Sequence, residues 1–165
     1  MNQPNDLAIT NSGIIFASDP NWADGNGNIW RITPDRNVVL LESDMGTTNG
    51  IAVSPDDKVL YVNESVQRNV WRYQLDSNGN ISDKQLFIRF DDHGLDGMRT
   101  DTNGNLYIAR YGKGVIAIVS AQGKLLREVA LKGRFPTNLA FGGPNKKRVF
   151  VTMQQRGAIE SFLIE

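Results

Sequence analysis

Three oxygen-bearing side chains stand at matching points of this sequence. Asn5, Asn49 and Asp96 each open a short run of mostly apolar residues, in PNDLAI, TNGIAV and LDGMRT. Amide carbonyls and carboxylates are hard donors, suited to Ca²⁺ or Mg²⁺. Asn138, in PTNLAF, shares the pattern, and the four positions lie 44, 47 and 42 residues apart. Asn and Asp also make tight turns, so any one of them alone reads as a turn former. Three at corresponding places of a repeat favour a shared site. Asn138 alone is read as structural.

The elements that must position these side chains come from the same repeat. Residues 48–65 (TNGIAVSPDDKVLYVNES) set the pattern: an asparagine, an apolar strand at 51–53, a Pro-Asp-Asp turn, and a second strand at 59–62. The pattern returns at 4–20, 95–112 and 136–153. Further strands are expected at 29–33 and 38–41, at 70–75 and 85–90, and at 115–119 and 125–131. The fourth copy has only 139–141, 149–152 and 158–164, so it lacks an outer strand. Residues 19–28 (DPNWADGNGN) read as a loop, since Gly, Asn and Asp tolerate left-handed turns. No amphipathic helix is evident.

Short strands with turn signals every ten residues or so indicate an all-β fold. Four strands per copy, at a period near 44, describe a propeller blade. One β-propeller domain of four-stranded antiparallel blades is therefore expected over 1–165, with repeats near 4–47, 48–94, 95–135 and 136–165. No spare strand precedes Asn5, so about four blades of an incomplete ring are expected. In a propeller the first strand of each blade lines the central channel. Asn5, Asn49 and Asp96 would then converge at one mouth.

Composition excludes several classes. Lys plus Arg equals Asp plus Glu, 18 against 18, so no overall field draws the chain to nucleic acid or an anionic membrane. Without cysteine, and with His93 the one histidine, disulfides and the usual zinc ligand sets are ruled out. No Gly-x-Ser-x-Gly elbow is present. The start has no signal-peptide pattern and no apolar run is long enough to span a bilayer, which predicts a soluble, cytoplasmic protein. His93 reads as a solvated loop residue. Trp30 and Trp71, in like third strands, read as core between blades, and Trp22 as a pocket wall. For Arg99 and Arg110 a salt bridge between blades competes with substrate contact. Lys146 to Arg148 read as a hairpin tip.

The motifs Pro4-Asn-Asp-Leu with Phe16-Ala-Ser-Asp-Pro20, Thr48-Asn-Gly-Ile-Ala-Val-Ser-Pro-Asp-Asp57 and Asp96-Gly-Met-Arg99, together with Pro136-Thr-Asn-Leu-Ala-Phe-Gly-Gly143, resemble the regucalcin/gluconolactonase family. That family includes luciferin-regenerating enzymes and bacterial lactonases, and the likeness runs in order over essentially the whole chain. The resemblance implies a six-bladed propeller with one divalent cation on its axis, of which this chain corresponds to the last four blades. It implies Asn5, Asn49 and Asp96 as ligands and Ca²⁺ as the cation, with Mg²⁺, Mn²⁺ or Zn²⁺ as alternatives.

The activity implied is hydrolysis of a sugar lactone or related ester. The cation polarises the carbonyl, and Asp96 accepts the proton of the attacking water. Water ionised by the cation itself is the alternative. Gln3, Trp22 and Arg99 are the candidates for substrate contact. Two departures from the family pattern stand out. Its fourth ligand, a glutamate in a Glu-Gly-Pro-type motif, is absent, and Gln3 stands where members often carry arginine. The competing expectation is a non-catalytic metal-binding or interaction module. Open blade edges add an expectation of self-association.

Overall fold

Runs of β-branched and aromatic residues, broken by Asx and glycine turns, become fifteen strands over residues 1–164, the part of the chain that the computed structural model describes. Blade 1 contains β1 (Leu7–Ile9), β2 (Ile15–Asn21), β3 (Asn26–Ile32) and β4 (Val38–Met45). Blade 2 contains β5 (Thr48–Val53), β6 (Val59–Glu64), β7 (Asn69–Leu75) and β8 (Ile81–Arg89). Blade 3 contains β9 (Met98–Thr100), β10 (Leu106–Arg110), β11 (Val115–Val119) and β12 (Leu125–Ala130). Blade 4 contains β13 (Pro136–Gly142), β14 (Arg148–Met153) and β15 (Ala158–Leu163). Every blade is an antiparallel meander in chain order, and the last has three strands instead of four. The all-β propeller expected from the repeat is the fold observed. A short 3-10 turn, Pro144–Lys146, is the sole helical element among the described residues.

The turns explain the regularity of the blades. Asp101 Oδ1 accepts the N–H groups of Asn103 and Asn105, both at 2.9 Å. Asp76 Oδ1 does the same for Asn78 and Asn80, at 2.9 and 2.8 Å. Each is an Asx turn closed by a glycine, Gly104 or Gly79, at φ near +80° (81° and 74°), a conformation that a side chain disfavours.

Residues 19–28 depart from the loop expected of them. Strand β2 runs on to Asn21 and β3 begins at Asn26, with the pairs Asp19↔Asn28, Pro20↔Gly27 and Asn21↔Asn26. The cause is Asp19, which is buried and accepts Trp30 Nε1–H at 2.9 Å from the facing strand. A cross-strand bond inside the sheet overrides local turn propensity.

Apolar cores fill three junctions. Phe16, Ile29, Ile51, Leu60 and Val62 join blades 1 and 2. Val70, Leu95, Met98, Leu106 and Ile108 join blades 2 and 3. Tyr107, Ile116, Leu139, Val149 and Val151 join blades 3 and 4. Between blades 4 and 1 no such cluster exists among the described residues. Leu7 and Ile9 on one side, and Phe150, Ile159 and Leu163 on the other, are exposed. Trp71 packs partly against the first core, as expected. Trp30 does not sit between two of these blades. Its neighbour Ile29 points into the first core, so Trp30 faces the other way, onto the open side of blade 1.

Candidate functional site

The inner strands β1, β5, β9 and β13 begin at one mouth of the channel. At that mouth blades 2 and 3 touch through their backbones. A Cβ on Gly50 would lie 2.3 Å from the carbonyl oxygen of Asp96, so only glycine allows the two openings to close on each other. Asn63, from β6, fixes the contact by donating Nδ2–H to the same Asp96 oxygen at 2.6 Å. This approach sets Asn49 against Asp96. Asn49 Nδ2 reaches Leu95 O, next to Asp96, at 3.5 Å, and its amide is near enough to the Asp96 carboxyl to favour the ionised form.

Burial drives the Asp96 carboxyl up from its ordinary 3.8 to about 7. The Gly97 N–H and the Asn49 amide pull in the opposite direction, and the nearby Asp6 charge adds to the rise. A cation bound to this carboxyl would favour its ionised form and oppose the rise. Asn49 is 4% exposed, and its Oδ1 is buried without a hydrogen-bond partner. An orphaned buried carbonyl is costly unless a water or a ligand partners it. Asn63 Oδ1 is orphaned in the same way.

Asn5 heads blade 1 at the corresponding place. Its N–H donates to Ser18 O at 2.9 Å and the residue is exposed. Asn138 is displaced by one residue from the register read in the sequence. Its Oδ1 accepts Leu139 N–H at 2.9 Å, as Asp6 Oδ1 accepts Leu7 N–H at 2.9 Å. Asn138 is thus the counterpart of Asp6, and Thr137 is the counterpart of Asn5. Its Nδ2 reaches Asp6 Oδ1 at 3.3 Å, a structural contact.

Gln3 and Trp22 both lie on the mouth side. The Gln3 N–H donates to Asp19 Oδ1 at 2.6 Å, and Asn2 N–H donates to both Asp19 oxygens at 2.7 and 2.8 Å. Burial alone would raise the Asp19 pKa. The bonds from Asn2, Trp30 and Gln3 outweigh it and hold this carboxyl below its ordinary value. Trp22, 46% exposed, occupies the turn between β2 and β3, three residues beyond Asp19. Arg99 points into the channel beneath the mouth and pairs with Asp6 at 3.1 Å. Arg110 ties blade 3 to the end of the preceding repeat, 48–94. It is fully buried within blade 3, held by Glu128 and by Asp92 of the preceding loop, and stacked on Phe90 at 3.8 Å. His93 is an exposed loop residue beside Asp92.

Asn49 and Asp96 lie side by side and carry hard oxygen donors of the type that suits a divalent cation, and the orphaned Asn49 Oδ1 fits one. Among the described residues no three His, Cys, Asp or Glu side chains cluster, so a cation here would rest on amide oxygens beside the single Asp96 carboxylate. A cavity of about 480 Å³ lies toward the other end of the inner strands, lined by Ile9, Val53, Thr100, Asn103, Phe141 and Lys146. None of Asn5, Asn49 and Asp96 lines it. Sequence reasoning missed Asp6 and Asn63. Asn63 carried one signal, a polar residue inside the apolar strand VLYVNE.

Residues 1–155 match the family described as the SMP-30/Gluconolactonase/LRE-like region. A gluconolactonase of Zymomonas mobilis is 33% identical over an alignment of 163 residues that covers 86% of this chain and 45% of that protein. A pentonolactonase of Haloferax volcanii is 29% identical over 151 residues, covering 90% of this chain and 52% of the relative. The crystal structure of a calcium-binding protein, regucalcin, from Agrobacterium tumefaciens matches with a TM-score of 0.83 at 26% identity, over 90% of this chain and 52% of that one. The chain spans about half the length of the curated relatives it matches.

Proposed function

The chain belongs to the SMP-30/gluconolactonase/LRE-like family, and from that premise we propose that its mouth is a lactone-hydrolysing site built around a divalent cation, with Ca²⁺ first among candidates. Asp96, Asn49 and Asn5 would hold the ion. The observation that carries this reading is the buried, unpartnered Asn49 Oδ1 beside the Asp96 carboxyl, on two consecutive blades. A bound cation would polarise the lactone carbonyl and offset the negative charge that develops on its oxygen.

The chain's own residues supply the rest. Asp96 takes a proton from the water whose oxygen attacks the carbonyl carbon. As the ring C–O bond breaks, that proton passes to the departing ring oxygen, and a hydroxy acid leaves. Asn5 and Asn49 orient without titrating. Gln3, pinned by Asp19, and Trp22 at the rim are the substrate contacts in this account. Arg99 serves from below, since its terminal nitrogens are engaged by Asp6 and by Met98 O.

The second reading is a non-catalytic cation-binding or interaction module. It is favoured by the amide-rich donor set, which holds one carboxylate where a tight Ca²⁺ site uses several. Self-association through the exposed faces of blades 1 and 4 is compatible with either reading, and light scattering reports it. Hydrolysis of glucono-lactone, measured with and without chelator, separates the two. The lactonase reading expects chelator-sensitive turnover that Asp96→Asn lowers by about 100-fold or more. No turnover in the presence of Ca²⁺ supports the module.

A further inference from the structure

Asp6 is where all four blades meet. The residue is 6% exposed, and its carboxylate accepts five hydrogen bonds. Leu7 N–H, of its own blade, donates to Oδ1 at 2.9 Å. Ile51 N–H of blade 2 donates to Oδ2 at 3.3 Å. Arg99 of blade 3 places Nη1 on Oδ2 at 3.1 Å and Nη2 on Oδ1 at 3.2 Å, a two-pronged pair across the channel. Asn138 of blade 4 adds Nδ2 at 3.3 Å. A carboxylate offers about four lone-pair positions. Five donors saturate it, so Asp6 has no oxygen to spare for a cation although it lies next to Asn5.

The repeat shows that this arrangement is particular to two positions. Where blade 1 has Asp6, blades 2 and 3 have Gly50 and Gly97, and a Cβ at either would collide with the opening of the following blade. Where blade 3 has Arg99, the other three blades have Ala8, Ala52 and Ala140. At these two positions Asp6, Arg99 and Asn138 reach into the channel where the other blades carry Gly or Ala. The donors to Asp6 are the near neighbours of the proposed ligands. Asp6 follows Asn5, Ile51 lies two residues after Asn49, and Arg99 lies three after Asp96.

We infer that Asp6 is a positioning residue and Arg99 its strut: the pair crosses the channel directly beneath the mouth and holds Asn5, Asn49 and Asp96 in one arc. Bidentate Arg–carboxylate geometry resists shear as well as separation, which suits it to fixing the distance between blades 1 and 3. The inference rests on the cation reading above and is tested separately from it. Calorimetric titration of Ca²⁺ into the full chain at 20 °C, with folding checked by circular dichroism, compares wild type with Arg99→Met, Arg99→Lys and Asp6→Asn. Arg99→Met and Asp6→Asn should each weaken binding at least tenfold, and Arg99→Lys, which keeps the charge but loses the fork, should fall between. A residue serving stability alone would lower the melting temperature and leave the affinity of the folded protein unchanged, and that result overturns the inference. If wild type itself takes up no Ca²⁺, the cation reading fails and the strut is judged by a double-mutant cycle on thermal unfolding. A double variant no less stable than either single one supports the strut, and strictly additive losses overturn it.

Discussion

The junction between blades 2 and 3 and the one between blades 4 and 1 are opposites. At the first, the backbones touch at Gly50 and Asp96, Asn63 ties them at 2.6 Å, and Leu95, Met98, Leu106 and Ile108 are fully buried. At the second, a hydrogen bond from Asn138 to Asp6 crosses, while Leu7, Ile9, Phe150, Ile159 and Leu163 stay exposed. Asn49 and Asp96 sit on the closed side, while the exposed Asn5 heads blade 1. Asn49 and Asp96 need positions good to a fraction of an ångström, and a backbone-to-backbone contact backed by a close-packed core supplies that. Blade 4 lends the mouth a structural amide.

The contrast can be broken most forcefully from the closed side. Ile108→Ala empties a fully buried position in the second core and should cost about 2–5 kcal/mol, read from a denaturant titration. A loss under 1 kcal/mol would mean that this junction is not close-packed. Gly50→Ala should cost about 1–3 kcal/mol through the forced retreat of the Asp96 carbonyl, and should also weaken Ca²⁺ binding, because Asn49 and Asp96 part. Retained affinity would separate the site from the junction that is claimed to build it.

Asp19 sharpens the comparison through pH. Its folded pKa lies below its ordinary value, so the stability it contributes is present above pH 3.8 and is lost as pH falls through the lower folded value. Asp19→Asn should therefore melt a few degrees below wild type at pH 6, and the gap should close as pH drops toward 3. A gap independent of pH would show that the bonds from Asn2, Gln3 and Trp30 do not depend on the charge. On the open side Ile159→Ala should change stability by less than about 0.5 kcal/mol, since Ile159 is 67% exposed. A cost comparable to Ile108→Ala would mean that something covers that face.

The fold was legible because the same sentence is written four times, and a period near 44 residues with alternating strands has few other solutions. Asn5, Asn49 and Asp96 could be aligned as counterparts for the same reason. The register of Asn138 could not, because Thr137 stands before it in the place of the other three, and only the Leu139 N–H bond exposes the shift. The Asp6–Arg99 pair joins residues 93 apart in sequence, a separation at which local pattern says nothing of contact. Residues 19–28 carry turn chemistry that a buried carboxylate converts into ladder pairs. Trp30 and Trp71 looked alike, and their surroundings differ because a blade packs over one and not over the other.

A divalent cation between Asn49 and Asp96 is the proposal on which the rest depends. Isothermal titration of Ca²⁺ into wild type, Asp96→Ala, Asn49→Ala and Asn5→Ala tests it most directly. One site per chain is expected in wild type. The loss should be greatest for Asp96→Ala, which removes the one formal charge of the set. It should be smaller for Asn49→Ala, which deletes the orphaned oxygen, and least for the exposed Asn5→Ala. No binding heat in wild type, or equal losses in all three variants, would contradict it.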